Sequence, residues 1–318
     1  MTEALSAPPR LDPRKFRDPE ITAKGEPRAW VALKSLETLW FNTGTLCNLT
    51  CRNCYIESSP RNDRLAYLSA ADVAGYLDDI ARLGLGTRLV GFTGGEPFMN
   101  RDLPAMLDDV LSRGFEAIIL TNAMRPMHHR KRVLLALRER YGDRLTLRVS
   151  LDHYGSAVHE LERGARSWAP SLDGLKWLAA NGFRVNVASR FLSGENEAAL
   201  RAGFRRLFAE HAIPIDADDP VELVIFPELD ASVDVPEITT ACWGILHKSP
   251  DSVMCATSRM VVKRKGADTP SVVACTLLPY DPLWDLGPSL AGAIGAVPLN
   301  HPHCAKFCVL GGAACSRG

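Results

Sequence analysis

From residue 36 to about 230 the chain alternates between short apolar runs and amphipathic segments, and this alternation limits the folds open to it more than any other feature. "LETLWFN", "TRLVGFTGGEP", "EAIILTN", "RLTLRVSLD", "FRVNVASRF" and "VELVIF" read as strands. Between them, "LSAADVAGYLDDIARLG", "LPAMLDDVLSRG", "HHRKRVLLALRERYG", "SLDGLKWLAANG" and "ENEAALRAGFRRLFAEHA" read as helices. Ser69 stands as an N-cap of the first helix and Gly84 just past its end. Strands alternating with helices predict a parallel sheet with crossover helices, either a doubly wound sheet or an incomplete barrel. In both architectures the active site lies at the C-terminal ends of the strands.

The residues at those ends are therefore informative. They are Cys47, Cys51 and Cys54, then Thr93-Gly94-Gly95-Glu96-Pro97, then Thr121 and Asn122, then Ser150 and Asp152, then Ser189 and Arg190. Thiols, glycines, a carboxylate and small hydroxyls on one rim predict a cofactor site. Glycines let the backbone approach a ligand closely, and Glu96 can accept a hydrogen bond from an ammonium group. "CNLTCRNCY" sets three cysteines within eight residues and no fourth nearby. Structural zinc and ordinary iron–sulfur clusters close with four ligands, so an open set of three points to a reactive metal site.

"CNLTCRNCY" followed by "GFTGGEPF", within this alternation, resembles the radical S-adenosylmethionine (SAM) enzymes over about residues 36–230. The resemblance implies a partial (β/α)6 TIM-like barrel. It implies a [4Fe–4S] cluster on Cys47, Cys51 and Cys54, with SAM chelating the fourth iron and a flavodoxin- or ferredoxin-type protein as reductant. Gly94, Gly95 and Glu96 match the motif that holds the methionine amino group. Ser150 matches a strand-four hydroxyl that contacts SAM, Arg163 in "HELERG" an arginine that pairs with its carboxylate, and Ser189 and Arg190 a ribose contact. Where the family often places an aromatic residue before the third cysteine, this chain has Asn53, and Tyr55 takes the packing role. The implied chemistry is reductive cleavage of SAM to a 5′-deoxyadenosyl radical that removes a hydrogen atom from the substrate.

After about residue 235 the alternation stops, and six of the chain's nine cysteines follow. The expected division is an extended arm over 1–30, the barrel over 31–235 and a small cysteine-rich module over 236–318. Cys255 and Cys275 flank a hairpin turning near Gly266, and Cys304, Cys308 and Cys315 follow. This resembles the SPASM/twitch modules, which bind auxiliary iron–sulfur clusters. The cysteines suffice for one auxiliary cluster, expected to be [4Fe–4S], on Cys255, Cys275 and two of Cys304, Cys308 and Cys315. Zinc is the alternative for this group. Cys242, in "ACWGIL", is either a hydrogen donor or proton acceptor at the barrel mouth or a small buried hydrophobe. His301 and His303 are loop histidines or further ligands beside Cys304, and His128-His129 opens a solvated helix. Asp152-His153-Tyr154, at the rim after the fourth strand, has either a substrate or proton-transfer role or is a capping aspartate with packing neighbours.

Composition bounds the rest. Lys plus Arg and Asp plus Glu both total 37, which gives no electrostatic reason to expect nucleic acid or an anionic membrane. No signal peptide and no apolar run of spanning length is present, so the expected compartment is the cytoplasm, where nine cysteines favour metal or redox chemistry over disulfides. The implied reaction is hydrogen abstraction followed by oxidation through the auxiliary cluster. Its expected substrate is a small molecule or a peptide whose leader is read by a separate protein. The alternatives are epimerisation or rearrangement with a cysteine hydrogen donor, and a non-catalytic iron–sulfur electron carrier.

Overall fold

A computed structural model describes residues 9–192 and 194–312. The strands are β1 (Trp30–Val31), β2 (Thr38–Asn42), β3 (Leu89–Thr93), β4 (Glu116–Thr121), β5 (Leu145–Ser150), β6 (Arg184–Arg190), β7 (Leu223–Phe226), β8 (Ser258–Val262), β9 (Ser271–Val273) and β10 (Val297–Pro298). The helices are α1 (Ala70–Leu83), α2 (Leu103–Ser112), α3 (Arg125–His128), α4 (Lys131–Tyr141), α5 (Ser156–Arg163), α6 (Trp168–Ala180), α7 (Glu197–Glu210) and α8 (Cys242–Ile245). The main sheet runs β7-β6-β5-β4-β3-β2-β8-β9. Strands β2 to β7 are parallel neighbours in chain order, so the expected six-unit partial barrel is the observed architecture.

The local signals act as expected at α1. Ser69 and Asp72 form a reciprocal capping box, and Gly84 closes the helix at φ 62°. Helix α5 is one of the elements the periodicity reading left out, with the short α3, α8, β1 and β10. It has eight residues with few apolar ones, too short for a repeating stripe.

The cysteine-rich segment extends the same sheet. The hairpin around Gly266 forms as β8 and β9, but β8 also pairs in parallel with β2, placing Arg259 beside Leu39. At the chain's start, Arg28 makes a buried ion pair with Glu237 at 2.6 Å, and β1 pairs with β10. Residues 9–31 thus run along the C-terminal segment, with Thr22, Arg28, Ala29 and Val31 buried and most of the others exposed.

Two apolar cores result, and β2 feeds both. Leu39 and Phe41 join the core between sheet and helices, where Phe41 stacks on Phe92 at 5.8 Å. Trp40 faces the other way, into a core with Ile118, Met260 and the C-terminal segment. Strand residues alternate faces, so one buried strand can serve two layers. Trp40 lies opposite Gly91, where a Cβ would sit 2.2 Å from the indole; glycine there makes room for the ring. The barrel floor is consequently closed below the strand ends.

Candidate functional site

At the C-terminal ends of the strands lies an open cavity with about 1020 Å³ of space not filled by protein, part of it continuous with solvent. Cys47, Cys51 and Cys54 line it, with Tyr55, Gly94, Gly95, Ser150, Arg163 and Arg190. These predicted residues come from four strand ends and from α5, separated by up to 143 positions, so the fold does gather them. Two others it does not: Glu96 and Ser189 lie outside the cavity wall. Ser189 sits between Ala188 and Arg190, which both face the cavity, and strand alternation turns its hydroxyl away to donate to the Asp152 carbonyl at 2.8 Å.

Glu96 is 1% exposed, and its carboxylate accepts from the Thr121 hydroxyl at 2.8 Å, the Asn122 N–H at 2.9 Å and the Phe98 N–H at 3.2 Å. Burial pushes its pKa up to about 7, against those donors. The carboxylate therefore ties the end of β3 to the end of β4, where the sequence reading expected it to meet an ammonium group. The two glycines have a related purpose. Gly94 adopts φ +133°, and a Cβ on Gly95 would lie 2.2 Å from the Leu46 carbonyl oxygen. Gly95 N–H donates to Gly44 O at 2.8 Å and Glu96 N–H to Leu46 O at 3.2 Å. The close approach is to the backbone of the cysteine loop. Gly95→Ala is expected to lose about 1–3 kcal/mol by overpacking and to take up less iron on reconstitution; urea unfolding and iron content check this.

The cysteine loop is held from several sides. Asn53 Nδ2 donates to Glu162 Oε2 at 2.8 Å, Arg52 N–H to the Glu162 carbonyl at 2.7 Å, and Asn122 Nδ2 to Asn48 Oδ1 at 2.9 Å. The Sγ atoms of Cys47 and Cys54 accept N–H groups of Leu49 and Ser58 at 3.4 and 3.3 Å. Burial pushes the Cys47 thiol up to about 12 and raises Cys51 as well. Such thiols stay protonated unless positive charge claims the thiolate, which fits ligands awaiting iron.

Asp152 organises the opposite wall. It is 1% exposed, and Arg163 grips it bidentately, Nε to Oδ2 and Nη2 to Oδ1, both at 2.9 Å. Arg190 grips it too, Nη2 to Oδ2 at 2.8 Å, and reaches the Asn53 carbonyl with Nη1 at 3.0 Å. Burial alone would raise the Asp152 carboxyl, but the charges and hydrogen bonds of Arg163 and Arg190 hold it well below the usual range. Two cations on one anion leave a net positive unit facing the thiols. His153 and Tyr154 instead hold the loop after β6, both meeting Glu195, at 2.8 and 2.7 Å. Its position just after β5 marked Asp152 as a rim residue; its pairing with Arg163 and Arg190 had no local signal.

A second, apolar cavity of about 410 Å³ lies in the C-terminal segment, lined by Cys255, Cys275, Cys304 and Cys308. Cys304 and Cys308 sit four apart on the π-type helix Cys304–Leu310. Burial pushes Cys255 up to about 11 and Cys304 higher. His303 and Trp284 line the same cavity, and His303 Nδ1 and Trp284 Nε1 are buried without a hydrogen-bond partner. Orphaned polar nitrogens beside four thiols fit a sulfur-rich group that would accept from them. Among the described residues no group of three or more His, Cys, Asp or Glu is placed to hold one metal ion.

Cys315 lies outside the described residues. Cys242 lines neither cavity; its Sγ meets the Thr239 N–H and hydroxyl, each at 3.4 Å. His128 and His129 also lie away from both. Among the described residues no helix is long and apolar enough to cross a membrane.

Comparison with known proteins places this geometry. The Radical SAM superfamily profile matches residues 41–205, which carry the end of β2, the cysteine loop and β3 to β6. The chain is 32% identical over 143 residues to the antilisterial bacteriocin subtilosin biosynthesis protein AlbA of Bacillus subtilis, spanning 45% of this chain and 30% of AlbA. It is 27% identical over 156 residues to GTP 3′,8-cyclase of Tolumonas auensis, spanning 48% and 44%. The chain thus matches less than half the length of these relatives. Among solved structures, Streptococcus suis SuiB bound to S-adenosylmethionine superposes with TM-score 0.58 at 14% identity, covering 80% of this chain and 63% of SuiB. The AdoMet-bound enzyme anSMEcpe gives TM-score 0.57 at 15% identity, covering 80% and 79%. With half the chain matched by the profile and the same architecture in the superposed structures, this protein belongs to the radical SAM superfamily.

Proposed function

We propose that the protein is a radical SAM enzyme that abstracts a hydrogen atom from a peptide substrate and oxidises the resulting radical through a SPASM/twitch-like auxiliary cluster. The observation that carries this reading is the pair of cysteine-lined cavities, an open set of three thiols and a set of four, in one chain. A [4Fe–4S] cluster on Cys47, Cys51 and Cys54, with SAM bound, would supply a 5′-deoxyadenosyl radical able to attack an unactivated C–H bond.

The chain's own residues orient and shield that chemistry. Arg163 and Arg190 present cationic N–H groups to a carboxylate while Asp152 fixes their planes, a geometry suited to bidentate recognition. Ser150 offers a hydroxyl and the Gly94–Gly95 backbone a close wall. Trp40, Ile118 and Met260 close the barrel floor and keep water from entering below. Cys255, Cys275, Cys304 and Cys308 would hold the auxiliary cluster, with Trp284 and His303 as donors to its sulfurs.

Peptide modification is favoured over nucleotide chemistry by two comparisons. AlbA is a bacteriocin biosynthesis protein, and SuiB has been captured with its precursor peptide SuiA. A flavodoxin- or ferredoxin-type protein is the proposed reductant. The test is the Cys255→Ala/Cys275→Ala variant, reconstituted anaerobically. Iron is expected to fall from about eight to about four per chain, with SAM still cleaved to methionine and 5′-deoxyadenosine under dithionite. Unchanged iron in that variant would remove the auxiliary cluster and the oxidative step with it.

A further inference from the structure

We infer that the part of the substrate entering the first cavity is an uncharged, apolar side chain, held by Leu120, Phe226, Leu229, Leu277 and Phe307. This rests on the reading above, in which cluster and SAM occupy the cysteine half of that cavity. Cysteines, glycines, Ser150, Asn53 and the Asp152–Arg163–Arg190 unit come from the loops after β2, β3 and β5, from α5 and from the end of β6, with apolar Leu49, Tyr55 and Ile56 among the cysteines. Leu120 of β4, Phe226 and Leu229 at and after the end of β7, and Leu277 and Phe307 of the C-terminal segment supply the other large apolar side chains, beside the polar Thr121 and Asn122.

Charge decides against an anionic substrate. Apart from the cysteines, the charged residues on the wall are Asp152, Arg163 and Arg190, already bound to one another. Their single surplus positive charge matches one carboxylate, that of SAM. Among the described residues nothing remains on the wall to neutralise a triphosphate or an acidic side chain, and no acid remains for a lysine. Burying an unpaired charge there is costly, whereas burying apolar surface is favourable.

The apolar wall is also built to hold a shape. Phe226 and Phe307 meet with ring centroids 5.3 Å apart, joining the end of β7 to the helix that bears Cys304 and Cys308. Leu277 lines both cavities, and its N–H donates to Cys275 Sγ at 3.4 Å. One leucine side chain therefore partitions the apolar half from the four-cysteine cavity, and a group resting on it sits beside the second site.

The experiment uses the reconstituted, SAM-loaded protein and saturation-transfer NMR with N-acetyl amides of phenylalanine, leucine, glutamate and lysine, and with GTP. The phenylalanine and leucine amides are expected to bind at least about tenfold more tightly than the charged amides and GTP. In Leu229→Asp, at a half-buried position that tolerates a carboxylate, the preference should move about tenfold toward the lysine amide. A holoprotein that cleaves SAM yet prefers GTP or a charged amide, or binds no apolar amide, overturns this inference alone. A Leu229→Asp protein of wild-type iron content with an unmoved preference also overturns it. A protein that binds no iron overturns both this inference and the reading beneath it.

Discussion

Replacing Cys47, Cys51 and Cys54 together by alanine should abolish reductive cleavage of SAM and remove about four irons per chain, leaving the iron of the C-terminal cysteines in place. The loss should be complete because these three are the thiols lining the cavity that also presents Ser150, Arg163 and Arg190. Iron and sulfide analysis with the methionine and 5′-deoxyadenosine assay checks both halves of the expectation. The triple variant should still fold, since these side chains contribute to neither the Phe41–Phe92 stack nor the Trp40 core. Retained SAM cleavage would move the catalytic cluster elsewhere, and loss of all iron would mean that the C-terminal cysteines do not bind a cluster of their own.

The second large effect is expected at Asp152. Asp152→Asn keeps the shape but removes the charge that two nearly buried arginines share. Breaking a buried pair from one side typically costs about 3–5 kcal/mol, because an uncompensated charge stays behind. Urea unfolding should register a loss of that order, and SAM binding should weaken as the arginine planes lose their common anchor. The acid limb gives an independent check. The folded-state pKa of Asp152 lies well below the unfolded value of about 3.9, so its stabilising contribution is fully present above that value. As pH falls from about 4 toward the folded pKa, the unfolded chain takes up a proton that the folded one refuses, and stability is lost. The asparagine variant should be less sensitive to acid over that window, its main deficit already present at neutral pH. A variant as stable as wild type at pH 7 would mean that the arginines find other partners.

Much of this was legible along the chain because it depends on neighbours. The strand–helix alternation is a local periodicity, and Ser69, Asp72 and Gly84 cap α1 within a turn of each end. Three thiols at spacings of four and three positions declare a metal loop with no tertiary information. The hairpin around Gly266 is equally local. What distance in sequence separates, the sequence does not pair. Asp152 meets Arg190 across 38 positions, Asn53 meets Glu162 across 109, and Arg190 reaches the Asn53 carbonyl across 137. The tight fit of Gly95 against Leu46 could not be seen from "TGGEP", which reads equally well as space for a ligand.

Parity and packing settled the remaining assignments. Ser189 and Arg190 are adjacent in sequence and appear equally available, yet a strand sends neighbours to opposite faces, so only Arg190 reaches the cavity. Glu96 is a carboxylate whichever way it turns; the N–H groups of Phe98 and Asn122 and the Thr121 hydroxyl turned it inward. The sequence by itself determined the strand–helix alternation, the three-cysteine loop and the presence of a second cysteine group, because these follow from local periodicity and spacing. Periodicity left a doubly wound sheet and a partial barrel both open, and the barrel was implied only by the resemblance that the two motifs carry. Only the tertiary structure decided which side chains share a cavity and which face away, and that Leu277 stands between the two sites, because those outcomes depend on strand register and on close packing between distant segments.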